Sequence, residues 1–387
     1  IPGPLLQAHG ELLFALPLGN GSRYGGSNTD HGDRLNMAVH ASPDGGVRWT
    51  RSLQVSGGYG GYGGLSTLPG DDDSFALVFE AGPLPGMKCS GACSIRFTPV
   101  RYDFGPASKT DDASVGVQIF QHSEGPCTCI GIPIVMRVQD TLLAFGQCRV
   151  GVGWAKDDGC YVKEPVPGDS SACNGTCIVL KRSVTGGRTW SNLSVVINNG
   201  FNMMPVFDSV RGKLVVSFDT GGAVDDKPFV QQPGATYATT ATVGPGILSA
   251  AAWSPPTKIF SFPGWASAPG PNVGVQLSGK AGAAGRLVFA GWANNTGHTC
   301  VVVIWYSDDG GETFKKGAEL PGACEAGLQE MSDGRLLILA NDGSARDKGP
   351  CPGDTLAHAF STTGGASFSE WKCALINADS QAGLLVV

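Results

Sequence analysis

Apolar residues along this chain come in short runs that end at Gly, Asp or Pro. LLFALP (12–17), FALVFE (75–80), TLLAFG (141–146), KLVVSF (213–218), RLVFAG (286–291), VVVIWY (301–306), RLLILA (335–340) and GLLVV (383–387) each have the length of one strand. No amphipathic helical period interrupts them, so the pattern predicts an all-β protein of many short strands. Between the runs, one motif recurs. SPDGGVRW (42–49), SVTGGRTW (183–190), SDDGGETF (307–314) and STTGGASF (361–368) share a Ser, a Gly-Gly pair and a closing aromatic, and ILSAAAW (247–253) reads as a degenerate fifth copy. Such a segment predicts a hairpin: Ser and Asp side chains cap backbone N–H groups, Gly-Gly supplies positive φ, and the aromatic folds under the turn.

The spacing of these hairpins counts the units. From Trp49 to Trp190, Trp253, Phe314 and Phe368 the intervals are 141, 63, 61 and 54 residues, and 68 separate Phe368 from Trp49 through the joined ends. One interval fits two units and the others one each, which predicts a six-bladed β-propeller of about 64 residues per blade. Residues 1–387 then form one domain, and the seam pairs N- and C-terminal strands, GLLVV joining ELLFALP (11–17) in one blade.

Composition agrees. Glycine is 58 of 387 residues and proline 25, with 16% charged and 42% hydrophobic, too apolar for disorder and rich in turn formers. The net charge is −6, from 27 basic and 33 acidic residues, without basic runs, which argues against nucleic acid or an anionic membrane as partner. No apolar stretch reaches the length of a transmembrane helix, and Ile1 is not an initiator, which reads as a processed chain. Twelve cysteines include the close pairs Cys89/Cys93, Cys127/Cys129 and Cys173/Cys177; none has a zinc-type two-residue spacer, so disulfides are expected. With four acceptor sequons, at Asn20, Asn174, Asn192 and Asn294, they point to a secreted or cell-surface glycoprotein, open to extracellular assembly. The six histidines are scattered, so no metal site and no cofactor is expected. Asp30, His31 and Asp33 form the densest polar cluster, read as a solvated loop, with a structural calcium in an acidic loop left open.

The hairpins resemble the Asp-boxes of sialidases, and the likeness extends over nearly the whole chain in rotated order. GIPIV (131–135), TLLAFGQCR (141–149), DDG (157–159), CIVLKRSVTGGRTW (177–190) and PVFD (205–208) read like the start of a sialidase. NVGVQL (272–277), GRLVF (285–289), YSDDGGETF (306–314) and CEAGLQEMSDGRLLIL (324–339) resemble its middle. RLNMAVHASPDGGVRW (34–49), YGGL (62–65), LVFE (77–80) and IRFTPVRYDF (95–104) resemble its end, so the family's last third comes first here. A closed ring tolerates that permutation.

The resemblance implies a mechanism. Sialidases cleave a sugar whose anomeric carbon bears a carboxylate, and they use a tyrosine nucleophile activated by a glutamate, with an aspartate as acid/base. Tyrosine's ordinary pKa near 10 explains the need for a base. Motif matching puts the nucleophile at Tyr62, with Tyr59 as competitor, the activating glutamate at Glu325 and the acid/base at Asp157, with Asp158 beside it. Of three arginines that clamp the substrate carboxylate, Arg34 matches one; Gly131 and Asp342 stand at the other two positions, leaving Arg149 and Arg346 as substitutes. Two function classes follow: a retaining exo-glycosidase acting on a terminal sugar of a glycan or glycoconjugate, or a glycan-binding lectin or extracellular structural module in which the clamp has decayed.

Overall fold

Six four-stranded antiparallel blades, predicted by the hairpin spacing, are present in the computed structural model. The structure describes residues 5–17, 36–46, 48–57, 60–82, 94–105, 108–109, 116–150, 173, 176–220, 235–261, 266–280, 282–294, 300–342, 351 and 355–377. The first blade comprises β1 (Leu5–Ala8), β2 (Glu11–Pro17), β3 (Met37–Ser42) and β4 (Arg51–Gln54). In the second, β5 (Gly60–Leu68), β6 (Asp71–Ala81) and β7 (Ser94–Arg101) precede β8 (Ser108–Lys109), which pairs parallel to β4 of the first blade, and β9 (Val117–Gln121) completes the sheet. The third contains β10 (Cys129–Val138), β11 (Thr141–Arg149), β12 (Thr176–Ser183) and β13 (Ser194–Asn198). β14 (Phe201–Asp208), β15 (Lys213–Asp219), β16 (Ala235–Thr242) and β17 (Thr257–Ser261) build the fourth. The fifth has a split first strand, β18 (Ala266–Pro269) and β19 (Val275–Gln276), followed by β20 (Leu287–Asn294), β21 (Cys300–Ser307) and β22 (Lys315–Pro321). β23 (Ala323–Glu330), β24 (Leu336–Asp342), β25 (Thr355–Ser361) and β26 (Lys372–Asn377) form the sixth.

Each blade lies between two others, so both faces of its sheet are covered. That is why the strands read as continuous apolar runs instead of alternating ones. Five apolar clusters fill the gaps between blades. The one that closes the ring joins Leu12, Phe14 and Leu16 of β2 to Leu337 and Leu339 of β24 and Leu356 of β25, and β1 lies against β23. β2 has β1 on one side and β3 on the other; Gly383–Val387, expected in the same blade, lie outside the described residues.

The repeated hairpins join the third strand of a blade to its fourth. In each of the four copies the Ser Oγ accepts from the second glycine's N–H: Gly46 to Ser42 (2.8 Å), Gly187 to Ser183 (2.9 Å), Gly311 to Ser307 (2.8 Å) and Gly365 to Ser361 (3.0 Å). Where the third position is not Asp, Thr185 and Thr363 take over its capping role through Oγ1, accepting from the N–H of Thr189 and Ser367. These second glycines have φ between 86° and 92°, a region closed to most side chains. Three of them also lie against the preceding blade: a Cβ on Gly187 would lie 2.1 Å from Phe97 of the second blade, and Gly311 and Gly365 likewise face Val215 of the fourth and Val288 of the fifth, whereas Gly46 faces Leu12 of its own blade. In the fourth blade the corresponding connection holds two 3₁₀ turns, Pro245–Leu248 and Ala250–Ala252, and Trp253 is buried with its indole N–H on Ile247 O. The second blade carries no copy, which accounts for the double interval.

Candidate active site

An antiparallel blade places the start of its first strand, the end of its second and the start of its third at one end of the ring, opposite the repeated hairpins. Tyr62 and Glu325 lie near the starts of β5 and β23, Gly131 near the start of β10, and Arg149 and Asp342 end β11 and β24. All are therefore at the same end. Arg34, Asp157, Asp158 and Arg346, together with Tyr59, lie outside the described residues.

The inner strands share a local device at this end. β5, β10, β14 and β23 each slip register near their first residues, between Gly60 and Gly63, Gly131 and Ile134, Phe201 and Met203, and Ala323 and Ala326. A bulge leaves residues unpaired and turns their side chains. The residues released are Gly61 and Tyr62, Ile132 and Pro133, Asn202, and Cys324 and Glu325. Ile132 and Asn202 have φ of 53° and 42°, strain that must be held by the surroundings.

Tyr62 and Glu325, 263 residues apart, meet: the phenol Oη donates to Glu325 Oε1 at 3.0 Å. Both side chains are half-buried, and the tyrosine ring packs against the apolar cluster that holds Ile132 and Met203. Glu325 is tied in place by its neighbour, because Cys324 is disulfide-bonded to Cys300 at the start of β21.

Sequence reasoning missed Glu80, the last residue of LVFE. It is 3% exposed. Its Oε1 accepts from the Ile132 N–H at 2.8 Å and its Oε2 from the Tyr62 N–H at 3.3 Å, so one carboxylate ties the bulges of two neighbouring blades together. Two glycines make room for it. A Cβ on Gly61 would lie 2.1 Å from Glu80 Oε2 and one on Gly131 2.9 Å from Oε1. A side chain at 131 would thus collide with Glu80, and that position supplies no cation. A buried carboxylate in a strand otherwise reading as core was the available signal.

Arg149 is buried at this end, as is Arg96 at the start of β7. His122 is close enough to feel Arg149: burial first, and then that guanidinium's charge, lowers its pKa to about 4, so it is neutral at physiological pH. Among the described residues the His, Cys, Asp and Glu side chains near enough to share a metal are Cys148, Cys173 and Cys177. All three are in disulfides, Cys127–Cys148 and Cys173–Cys177, and offer no thiolate. Cys351–Cys373 is a further bridge, and Cys129, expected as the neighbour of Cys127, is also disulfide-bonded.

Six antiparallel blades closed into a ring make a sialidase-like β-propeller, with the Tyr62–Glu325 hydrogen bond at one end of it. Comparison with known proteins agrees: over 188 residues, 44% of this chain, it is 31% identical to a sialidase from Micromonospora viridifaciens, and the match spans 28% of that protein's length. Among solved structures, the Hadza microbial sialidase Hz136 aligns with a TM-score of 0.51 at 15% identity, covering 74% of this chain and 55% of that one. A protein of unknown function from Dyadobacter fermentans aligns at 0.50 and 13% identity, covering 80% of this chain and 81% of that one. No protein-family model matches the chain.

Proposed function

We propose that the protein is a retaining exo-glycosidase that removes a terminal sugar from an extracellular glycan through a tyrosine nucleophile. The observation that carries this reading is the Tyr62–Glu325 hydrogen bond. A phenol is a weak nucleophile until a base takes its proton, and Glu325 Oε1 is within transfer distance. In the first step Tyr62 Oη forms a bond to the anomeric carbon as the glycosidic C–O bond breaks, Glu325 takes the phenolic proton, and Asp157 protonates the leaving oxygen. Asp157 then deprotonates a water that attacks the anomeric carbon, and the phenoxide leaves to recover its proton from Glu325. Glu80 fixes the backbone of the nucleophile. Arg34, Asp158, Arg149 and Arg346 are assigned to substrate contacts, and the paired cysteines suit an oxidising, extracellular setting.

A second reading, a glycan-binding module without turnover, is favoured by Gly131 and Asp342 at two clamp positions. Release of 4-methylumbelliferone from a panel of glycosides separates the two. Turnover that drops by about 10³-fold or more in Tyr62→Phe and by about 10²-fold in Glu325→Gln supports the enzyme. Absence of turnover on every glycoside, with glycan binding intact, supports the module.

A further inference from the structure

We infer that the seam between the sixth and first blades is an acid-sensitive latch, opened by protonation of His40 and His358, and that its opening draws Glu325 away from Tyr62. The latch belongs to the ring and stands whether or not the protein is a glycosidase. Register places both imidazoles in the same gap. His40 lies across from Phe14 of β2 and Ser52 of β4, and cross-strand partners share a face. Phe14 belongs to the apolar cluster that joins the first blade to the sixth. His358 lies across from Leu339 of β24, in the same cluster, and alternates along β25 with Leu356 and Phe360, which also pack there. Each histidine is in the third strand of its blade, close before the hairpin serine, Ser42 or Ser361.

His40 Nε2 and His358 Nδ1 are buried without a hydrogen-bond partner, so a proton added to either imidazole gains little there. β2 and β24 present leucines and Phe14 to the gap, β4 presents Ser52 and Gln54, and β26 presents Lys372 across from His358. At the hairpin end of the gap the charges are paired, Asp44 with Arg48 and Asp333 with Arg335, whose guanidinium lies over Phe360. No carboxylate is the register partner of either ring. Burial lowers His40 to a pKa of about 4, and burial followed by the Lys372 charge lowers His358. Opening the gap admits water to both rings and returns them toward 6.5, so opening takes up protons. Between pH 7 and 5 that raises the opening equilibrium by about 20-fold from His40 alone.

The blades beside the seam stay attached on their far sides. Arg51 of the first blade donates to Tyr102 O at 2.6 Å and Phe104 O at 2.9 Å of the second. Across the fifth and sixth, Arg286 Nη1 donates to Gly364 O at 3.2 Å and the Ser278 N–H to Glu330 Oε2 at 2.8 Å. Tyr62 therefore moves with the first and second blades. Glu325 moves with the fifth and sixth, to which Cys300–Cys324 fastens its strand. The first blade lies between the two residues, so their hydrogen bond spans the seam.

The test is hydrogen exchange read by mass spectrometry on the full, disulfide-intact chain at pH 7, 6 and 5, with rates corrected for the intrinsic effect of pH. Peptides covering β2–β3 and β24–β25 should lose protection by about 20-fold or more at pH 5 and regain it on return to pH 7, while those covering β11–β12 and β15–β16 keep theirs. In His40→Leu/His358→Leu the seam peptides should hold their pH 7 protection at pH 5. Should the double variant fail to fold, as its melting temperature at pH 7 would show, each single variant should lose less protection than the unmodified chain. Equal loss in all six blades, loss that begins around His122 between the second and third blades, an unchanged seam, or a folded variant with the original loss overturns the latch. If a glycoside is turned over, the acid limb of kcat should move to lower pH in the double variant, and an unmoved limb would break the link to Glu325. Absence of turnover bears on the glycosidase reading alone and leaves the exchange result to decide the latch.

Discussion

At the scale of single residues, the site depends on a carboxylate that touches backbone instead of substrate. Glu80 accepts two N–H groups from strained bulges, and replacing one of its oxygens by an NH₂ sets donor against donor. Glu80→Gln is expected to cost about 2–3 kcal/mol of stability, read as a lower urea midpoint, and to reduce kcat more than it raises KM, because the displaced strand carries Tyr62, the proposed nucleophile. Two histidines make stability depend on pH in a defined window. Burial lowers His40 to a pKa of about 4, and burial together with Arg149 lowers His122 to about 4, from an ordinary 6.5. Below pH 6.5 the unfolded chain takes up protons at these positions and the folded chain does not. Their contribution is therefore complete above 6.5 and is lost as pH falls toward 4, by up to about 3 kcal/mol for each. Unfolding free energies measured across that range should show the loss, and His40→Leu should flatten the slope.

The elements depend on their turns and bridges. Gly186 and Gly187 are adjacent and both have positive φ, 65° and 86°, but a Cβ on Gly186 meets nothing within 4 Å while one on Gly187 meets the Phe97 ring. Gly186→Ala should cost about 1 kcal/mol from the backbone alone, and Gly187→Ala about 2–4 kcal/mol, with the difference reporting contact between the second and third blades in thermal unfolding. The Cys300–Cys324 bridge spans 24 residues and ends one residue before Glu325. Cys324→Ser should lower stability by about 3 kcal/mol and also lower kcat, whereas Cys351→Ser, outside the site strands, should lower stability alone. Comparing kcat and melting temperature for the pair checks this.

At the scale of the whole molecule, six-fold repetition makes the fold legible in the sequence itself. The Ser, Gly-Gly and aromatic spacing counts the blades because every copy does the same mechanical task, capping a turn, and three of the four set that turn against the preceding blade. The missing copy in the second blade left only a long interval, and the 3₁₀ turns before Trp253 replaced Gly-Gly with alanines. The meeting of Tyr62 and Glu325 was readable from motif resemblance, since each lies in a stretch with a recognisable local pattern. Glu80 was not, because its role arises from register slips and cross-blade hydrogen bonds that no local pattern encodes. The same holds for the disulfide pairing, in which Cys127 bonds Cys148 across the β10–β11 hairpin. The central claim is that the closed ring turns Tyr62 into a nucleophile, and the most direct test is to trap its covalent intermediate. The full chain is incubated with a 2-deoxy-2-fluoro glycosyl fluoride of the sugar it hydrolyses, digested, and read by mass spectrometry. The account predicts one glycosyl adduct on the peptide containing Tyr62, absent from Tyr62→Phe; an adduct on any other residue would contradict it.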